Sequence, residues 1–162
     1  MNISLTELPL GLPGRIFRRP MPYGDFDPEG RALEAFQKHH ISVVVLLAEE
    51  DEILKKTGRD LKTLYLAGGL EAIHLPISDF NVPEKEELEK VLDLTLSHAR
   101  AGRNIVIHCH AGFGRTGLLV AYLARRVFGF SGAEAIRWAR RYIPGAVEAA
   151  DQEKMILNNL TS

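Results

Sequence analysis

The chain has 162 residues, of which 46% are hydrophobic and 25% charged, with a formal net charge of −1. This length is that of one domain, 1–162, with enough chain to bury a core, and the near-neutral charge argues against a general nucleic-acid binder. The charge is uneven: residues 1–100 are net −5 and residues 101–162 are net +4. That asymmetry fits either two solvated faces of opposite sign or an anion-facing surface in the basic part. The lone cysteine, Cys109, rules out an intramolecular disulfide and a cysteine-based zinc cluster. No apolar run is long enough to span a bilayer. The first residues lack a basic segment followed by a long apolar one. A soluble cytoplasmic protein is therefore expected, with no membrane partner.

In chain order, a short strand can form near Arg15–Arg18. Asp27-Pro28 resembles an N-cap with proline at the first helical position, opening a helix that buries Leu33 and Phe36. Ile41-Ser-Val-Val-Val-Leu-Leu is a β-branched run of strand length, and Ala72-Ile-His-Leu-Pro-Ile is a weaker strand. Pro83-Glu-Lys-Glu-Glu places acids in a first turn. Leu88, Val91, Leu92, Thr95, Leu96 and Ala99 then mark one helical face, with Gly102 as the stop. Asn104-Ile-Val-Ile-His is apolar at consecutive positions, as in a strand covered on both faces. Thr116–Phe128 reads as a buried helix, and Ser131-Gly-Ala-Glu134 as a capping box. Pro144-Gly145 breaks that second helix, and a last amphipathic helix carries Met155, Ile156 and Leu160. Strands alternating with helices predict an α/β fold with a central, mainly parallel sheet of four to five strands flanked by helices.

Chemistry concentrates in His108-Cys-His-Ala-Gly-Phe-Gly-Arg-Thr-Gly117, which joins a buried strand to an apolar helix. In α/β sheets ligands bind beyond the strand C-termini. The glycines let the backbone turn tightly, and successive N–H groups can form an anion nest backed by the helix's positive end. Arg115 adds a planar fork matched to phosphate oxygens, and Cys109 at that electropositive mouth favours its thiolate. Three other readings compete with covalent phosphoryl transfer through Cys109. One is a merely structural cysteine in a glycine-using turn. A dinucleotide fingerprint matches Gly112-x-Gly114-x-x-Gly117, but residues 131–142 read as helix where a second strand is needed. A metal site at His108-Cys109-His110 fails because consecutive ligands point to opposite sides and His39, His40, His74 and His98 form no partner cluster. Phosphoryl transfer alone uses the thiol, the nest, the arginine and the hydroxyl together.

His108, Cys109, Arg115, Thr116 and Gly117 resemble the signature loop of the cysteine-dependent protein tyrosine phosphatases, most closely the small dual-specificity type. Pro76-Ile-Ser-Asp79-Phe is similar to that family's general-acid segment. Pro144-Gly-Ala-Val-Glu-Ala-Ala-Asp-Gln152 is similar to a segment whose glutamine positions water. The resemblance spans residues 40–160. Proteins of this kind often carry an arginine directly before the Pro-Gly; here Ile143 stands there, with Arg140 and Arg141 upstream. The resemblance implies that Cys109 is the nucleophile. Arg115 and the backbone N–H groups of His110, Ala111, Gly112, Phe113 and Gly114 would bind the phosphoryl oxygens. Thr116 would donate to the sulfur, Asp79 would act as acid and then base, and Gln152 would orient the water, while His108 would orient the loop. Glu148 and the Glu49-Glu50-Asp51 cluster are the alternative acids. No metal or cofactor is expected. The expected substrates are phosphorylated proteins bearing phosphotyrosine and also phosphoserine or phosphothreonine, acted on by a monomer. A phosphoinositide or small-molecule phosphomonoesterase ranks second, because His110 and Phe113 stand where lipid phosphatases usually carry lysines. A non-catalytic phosphate-binding module ranks third, and a sulfurtransferase lower, its cysteine loop being typically one residue shorter. Arg15, Arg18 and Arg19 either line the cleft or are exposed.

Overall fold

A computed structural model describes residues 5–158. Five strands form one sheet in the order β1-β2-β5-β3-β4. They are β1 (Thr6–Leu8), β2 (Ile16–Arg18), β3 (Ile41–Leu46), β4 (Glu71–His74) and β5 (Asn104–His108). β2, β5, β3 and β4 run parallel, and β1 lies antiparallel on the edge beside β2. The helices are α1 (Ala32–Lys38), α2 (Glu50–Thr57), α3 (Leu61–Ala67), α4 (Lys85–Arg100), α5 (Gly114–Phe128), α6 (Gly132–Tyr142) and α7 (Ala150–Asn158). The expected α/β class and mainly parallel sheet are observed.

Alternation along the strands divides the core in two. Val43, Val45, Ile105 and Ile107 pack with residues of α4, α5 and α6, and Ile156 of α7 joins them. Val44, Leu46 and Val106 face the other way, against Phe36, Ile53, Leu61 and Tyr65 of α1, α2 and α3. Both faces of the parallel strands are therefore covered, which is why their sequences read as continuous apolar runs. Burial of each large aliphatic side chain contributes about 1.5–3 kcal/mol. All six positions of the expected face of α4 are buried. Ser131 and Glu134 form the expected capping box, Ser131 Oγ accepting from Glu134 N and Glu134 Oε1 from Ser131 N.

Several expectations need correction. The helix after Asp27-Pro28 begins only at Ala32, and its N-cap is Arg31. Asp27 is instead fully buried, its carboxylate accepting from the N–H groups of Arg31 and Ala32 and pairing with Arg19. It serves the helix start from a distance, anchored by a cation. Leu33 is only partly buried; Ala32 and Phe36 fill the core. The weaker strand ends at His74, because Pro76 has no N–H for the ladder. The chain still follows its neighbour, Leu75 and Ile77 donating to the Leu46 and Leu47 carbonyls. Strand β1 and helices α2 and α3 were not expected. Leu160 lies outside the described residues. Among the described residues no helix is long and apolar enough to cross a membrane.

Candidate active site

β5 is a central strand, and its C-terminal end is framed on both sides. Arg19 N donates to the Ile107 carbonyl, Met21 N to that of His110, and Leu47 N to that of His108. Cys109 follows the strand, and the chain turns through residues 110–113 into α5, whose positive N-terminal end stands behind the turn. Gly112 has φ +90°, and a Cβ there would press on the Arg19 backbone at 3.2 Å. At Gly117 a Cβ would lie 2.6 Å from Val147 N, so glycine allows the segment after α6 to close on the helix.

Cys109 is 3% exposed. The Thr116 hydroxyl, fully buried one turn into α5, donates to its sulfur at 3.1 Å. Arg115, also buried, sends Nη1 and Nη2 to the two Glu52 carboxylate oxygens at 2.7 and 2.8 Å. Nη1 also donates to the Ile77 carbonyl at 2.9 Å, and Nη2 lies 3.4 Å from Asp79 Oδ1. The buried Nε has no hydrogen-bond partner. α2 and the 75–81 segment therefore fix the plane of the guanidinium and leave Nε–H unspent. Burial opposes the Arg115 charge, but Glu52, Cys109 and Asp79 outweigh it and hold the group protonated beyond its usual range. Burial likewise pushes the Glu52 carboxyl up, and the Arg115 bonds and charge outweigh that, leaving it below the usual carboxylate range.

His108 is buried on the far side of the strand end. Its Nδ1 lies 3.2 Å from the Cys109 carbonyl, which only accepts, so Nδ1 carries the proton. Burial lowers its pKa to about 4, so the ring is neutral and Nε2 accepts from Tyr65 Oη at 2.8 Å. Burial pushes the Tyr65 phenol far up, keeping it a donor. His110 points elsewhere: its Nε2 lies 3.4 Å from Asp25 Oδ2 and its ring 5.6 Å from that of Phe26. The two histidines flanking Cys109 thus face different partners, as alternation in an extended segment requires. The three N-terminal arginines separate as well. Arg15 is exposed on Glu7, Arg19 is buried on Asp27, and Arg18 donates to the Gly112 carbonyl from Nε and Nη2 at 3.2 and 2.8 Å.

Asp79 is half-exposed and accepts from Phe80 N, with Phe80 at φ +64°. Gln152 is fully buried, its Oε1 accepting from Ala149 N and its Nε2 donating to the Asn81 carbonyl, both at 3.1 Å. It ties the Asp79 segment to the start of α7 while standing against Gly114. The Glu148 carboxylate also overhangs Gly114. Within the Glu49-Glu50-Asp51 cluster, Glu49 accepts from Ser78 Oγ, while Glu50 and Asp51 line a hollow with His74 and Pro76. Their neighbour Glu52, which the sequence reading passed over, is the acid that meets Arg115. Ile143 is fully buried, and Arg140 braces the following loop by donating to the Ala146 and Val147 carbonyls. No strand follows β5 among the described residues, so the glycine spacing has no second parallel strand to complete a dinucleotide unit.

The chain matches, over residues 22–127, the family model described as polymorphic toxin system, DSP-PTPase phosphatase. An uncharacterized protein of Methanocaldococcus jannaschii is 32% identical over 93 residues, covering 56% of this chain and 60% of that protein. The human dual specificity protein phosphatase CDC14A is 29% identical over 117 residues, covering 72% of this chain and 18% of CDC14A. Among solved structures, that of Tk-PTP superposes with a TM-score of 0.75 at 31% identity, covering 91% of this chain and 89% of Tk-PTP. The buried thiol, its hydroxyl donor and the clamped arginine stand on a fold shared with these proteins. The chain belongs to the DSP-PTPase family of the polymorphic toxin systems, within the cysteine-dependent protein tyrosine phosphatases.

Proposed function

We propose that this chain hydrolyses phosphomonoesters of proteins, phosphotyrosine together with phosphoserine and phosphothreonine, through a phosphocysteine intermediate, in the cytoplasm and without a metal. One observation carries the reading: a single buried sulfur receives the Thr116 hydroxyl at 3.1 Å and sits in the same loop as a buried arginine whose Nε is unspent. A structural cysteine requires neither feature.

The Cys109 thiolate attacks phosphorus in line with the ester oxygen. The S–P bond forms as the P–O bond breaks, and Asp79 gives its proton to the leaving oxygen. Backbone N–H groups of residues 110–115 and the Arg115 Nε–H face the equatorial oxygens, whose charge grows in the transition state. In the second step water attacks phosphorus, Asp79 takes its proton, and the S–P bond breaks. The Thr116 hydroxyl stabilises the departing thiolate. Gln152 has its amide beside the loop, where it orients that water and holds the Asp79 segment. Glu148, standing over Gly114, is the alternative acid; the contact of Asp79 with Arg115 favours Asp79.

The test is hydrolysis of p-nitrophenyl phosphate in the presence of EDTA. Activity that persists, is blocked by vanadate and disappears in Cys109→Ser is expected. Activity that requires a metal or survives that substitution overturns the reading. Phosphotyrosyl, phosphoseryl and inositol phosphate substrates compared by kcat/KM then separate the protein phosphatase from the lipid or small-molecule enzyme.

A further inference from the structure

Arg18 ends β2 opposite Ile107 of β5. Arg15 is paired with Glu7, Arg19 with Asp27 and Arg115 with Glu52. Arg18 has no such carboxylate among the described residues and directs two guanidinium nitrogens to one acceptor, the Gly112 carbonyl. Its guanidinium also lies 5.4 Å from the centroid of the Phe113 ring. Burial opposes its charge, and the negative charge of Cys109 partly offsets that opposition. A half-buried cation without a counter-ion, aimed at the loop that holds the nucleophile, is costly unless it serves that loop.

We propose that Arg18 is a positioning residue that staples the Gly112 carbonyl to the outside of the loop and so keeps the Phe113 N–H turned inward, toward the phosphoryl oxygens. In a planar trans peptide the carbonyl and the N–H point in opposite directions. The same guanidinium is a second fixed cation for the Cys109 thiolate, beside Arg115. The need for a staple follows from Gly112 itself. With no Cβ, its backbone has several orientations of similar energy. A flipped Gly112–Phe113 peptide would present a carbonyl to the phosphate and to the thiolate. Both repel it, and one nest donor would be lost. Arg18 bonds the carbonyl in one of those orientations only.

The inference rests on the phosphatase reading, and the experiment separates the two. The variants are Arg18→Met, which keeps an aliphatic stem over Phe113 and removes charge and donors, and Arg18→Lys, which keeps the charge without the fork. The readouts on the full chain are orthovanadate inhibition, kcat and KM on p-nitrophenyl phosphate, and the pH midpoint of iodoacetamide alkylation of Cys109. In Arg18→Met vanadate is expected to bind about tenfold more weakly, less than the loss on deleting an oxyanion donor outright. The alkylation midpoint is expected to rise by about one pH unit, the low end of the effect of removing a nearby opposite charge. kcat should fall more than KM rises. Arg18→Lys should restore most of the midpoint but leave vanadate several-fold weaker, a split that a merely structural side chain would not produce. If Arg18→Met melts below the assay temperature, Arg18→Lys decides: weakened vanadate binding supports the staple and unchanged binding overturns it. Vanadate affinity within about twofold of wild type in both folded variants, with the midpoint unmoved, overturns it too. A wild-type chain that neither turns over nor binds vanadate overturns the phosphatase reading instead, and the alkylation midpoints, which need no turnover, still decide the cationic role of Arg18.

Discussion

Replacing Glu52 with glutamine tests whether the catalytic loop depends on its ion pair. Arg115 is 2% exposed and Glu52 17%, so solvent screens the pair little. Removing one partner of a buried pair costs about 3–5 kcal/mol, because the other charge stays buried. The amide in Glu52→Gln keeps one neutral acceptor, worth about 1 kcal/mol. Asp79, at 3.4 Å and half-exposed, supplies part of the missing charge. A net loss of about 2–3 kcal/mol follows, and for a chain of this size the melting temperature should fall by roughly 4–12 °C. Released from α2, the Arg115 fork loses its plane, and kcat should drop by about 10- to 100-fold, as for small misplacements of a positioned group. The pH dependence adds a sign. Arg115 holds the Glu52 carboxyl below the usual carboxylate range even though burial alone would raise it. Its stabilisation is therefore full above the unfolded value, about pH 4.3, and is lost as pH falls through the lower folded value. Calorimetric melts of wild type and variant should differ at neutral pH and converge on acidification. A Tm within about 1 °C of wild type at pH 7, or a gap that stays constant on acidification, would refute the reasoning.

Asp79→Asn should slow alkyl phosphates far more than aryl phosphates, since only a poor leaving group needs the proton; equal slowing, measured over a series of leaving-group pKa values, would move the acid to Glu148. Gln152→Ala removes the bond to the Asn81 carbonyl and the contact over Gly114. Pre-steady-state kinetics should show an altered burst and a melt should show a loss of about 1–2 kcal/mol; an unchanged burst excludes a role in the water step. Tyr65→Phe leaves buried His108 Nε2 without its donor and should cost about 1–3 kcal/mol in denaturant titrations. Because burial lowers His108 to about 4, below its unfolded value, the unfolded chain binds the extra proton first. Stability should therefore be full above about pH 6.5 and decline as pH falls toward 4, and His108→Asn should flatten that decline between about pH 6.5 and 5.

The loop was legible because its chemistry is local. Cys109, Arg115 and Thr116 lie within eight residues, and a strand-to-helix turn leaves them few ways to be placed. α4 was legible because its apolar spacing has one helical solution. Glu52 was not. It is the last of four consecutive acids, and only the phase of a helix decides which of them faces inward. α2 has just Ile53 and Thr57 buried, too sparse a stripe to reveal that phase. Tyr65 and Arg18 were hidden for a different reason. Each acts across the sheet, on a partner 43 and 94 residues away, respectively. Asp27 misled because a cap-like residue followed by proline describes its surroundings locally, while its carboxylate is held by a buried arginine of the neighbouring segment.

The charge asymmetry of the sequence finds its explanation in the same cross-chain pairing. Basic residues of the C-terminal part meet acids of the N-terminal part: Arg103 with Glu71, Arg115 with Glu52, Arg126 with Asp93. The excess of positive charge after residue 100 is largely met at short range, so it does not constitute one broad anion-facing surface. The exposed pairs among these contribute little to stability. What remains for an anion is local: helix N–H groups, the unspent Arg115 Nε and the unpaired guanidinium of Arg18, all gathered at the end of one strand. Short-range donors of this kind act where charge develops and are weakly screened, whereas a diffuse basic face would mainly raise encounter rates and fade with salt. A site assembled in this way is suited to stabilising a phosphoryl group in transit more than to attracting one from afar.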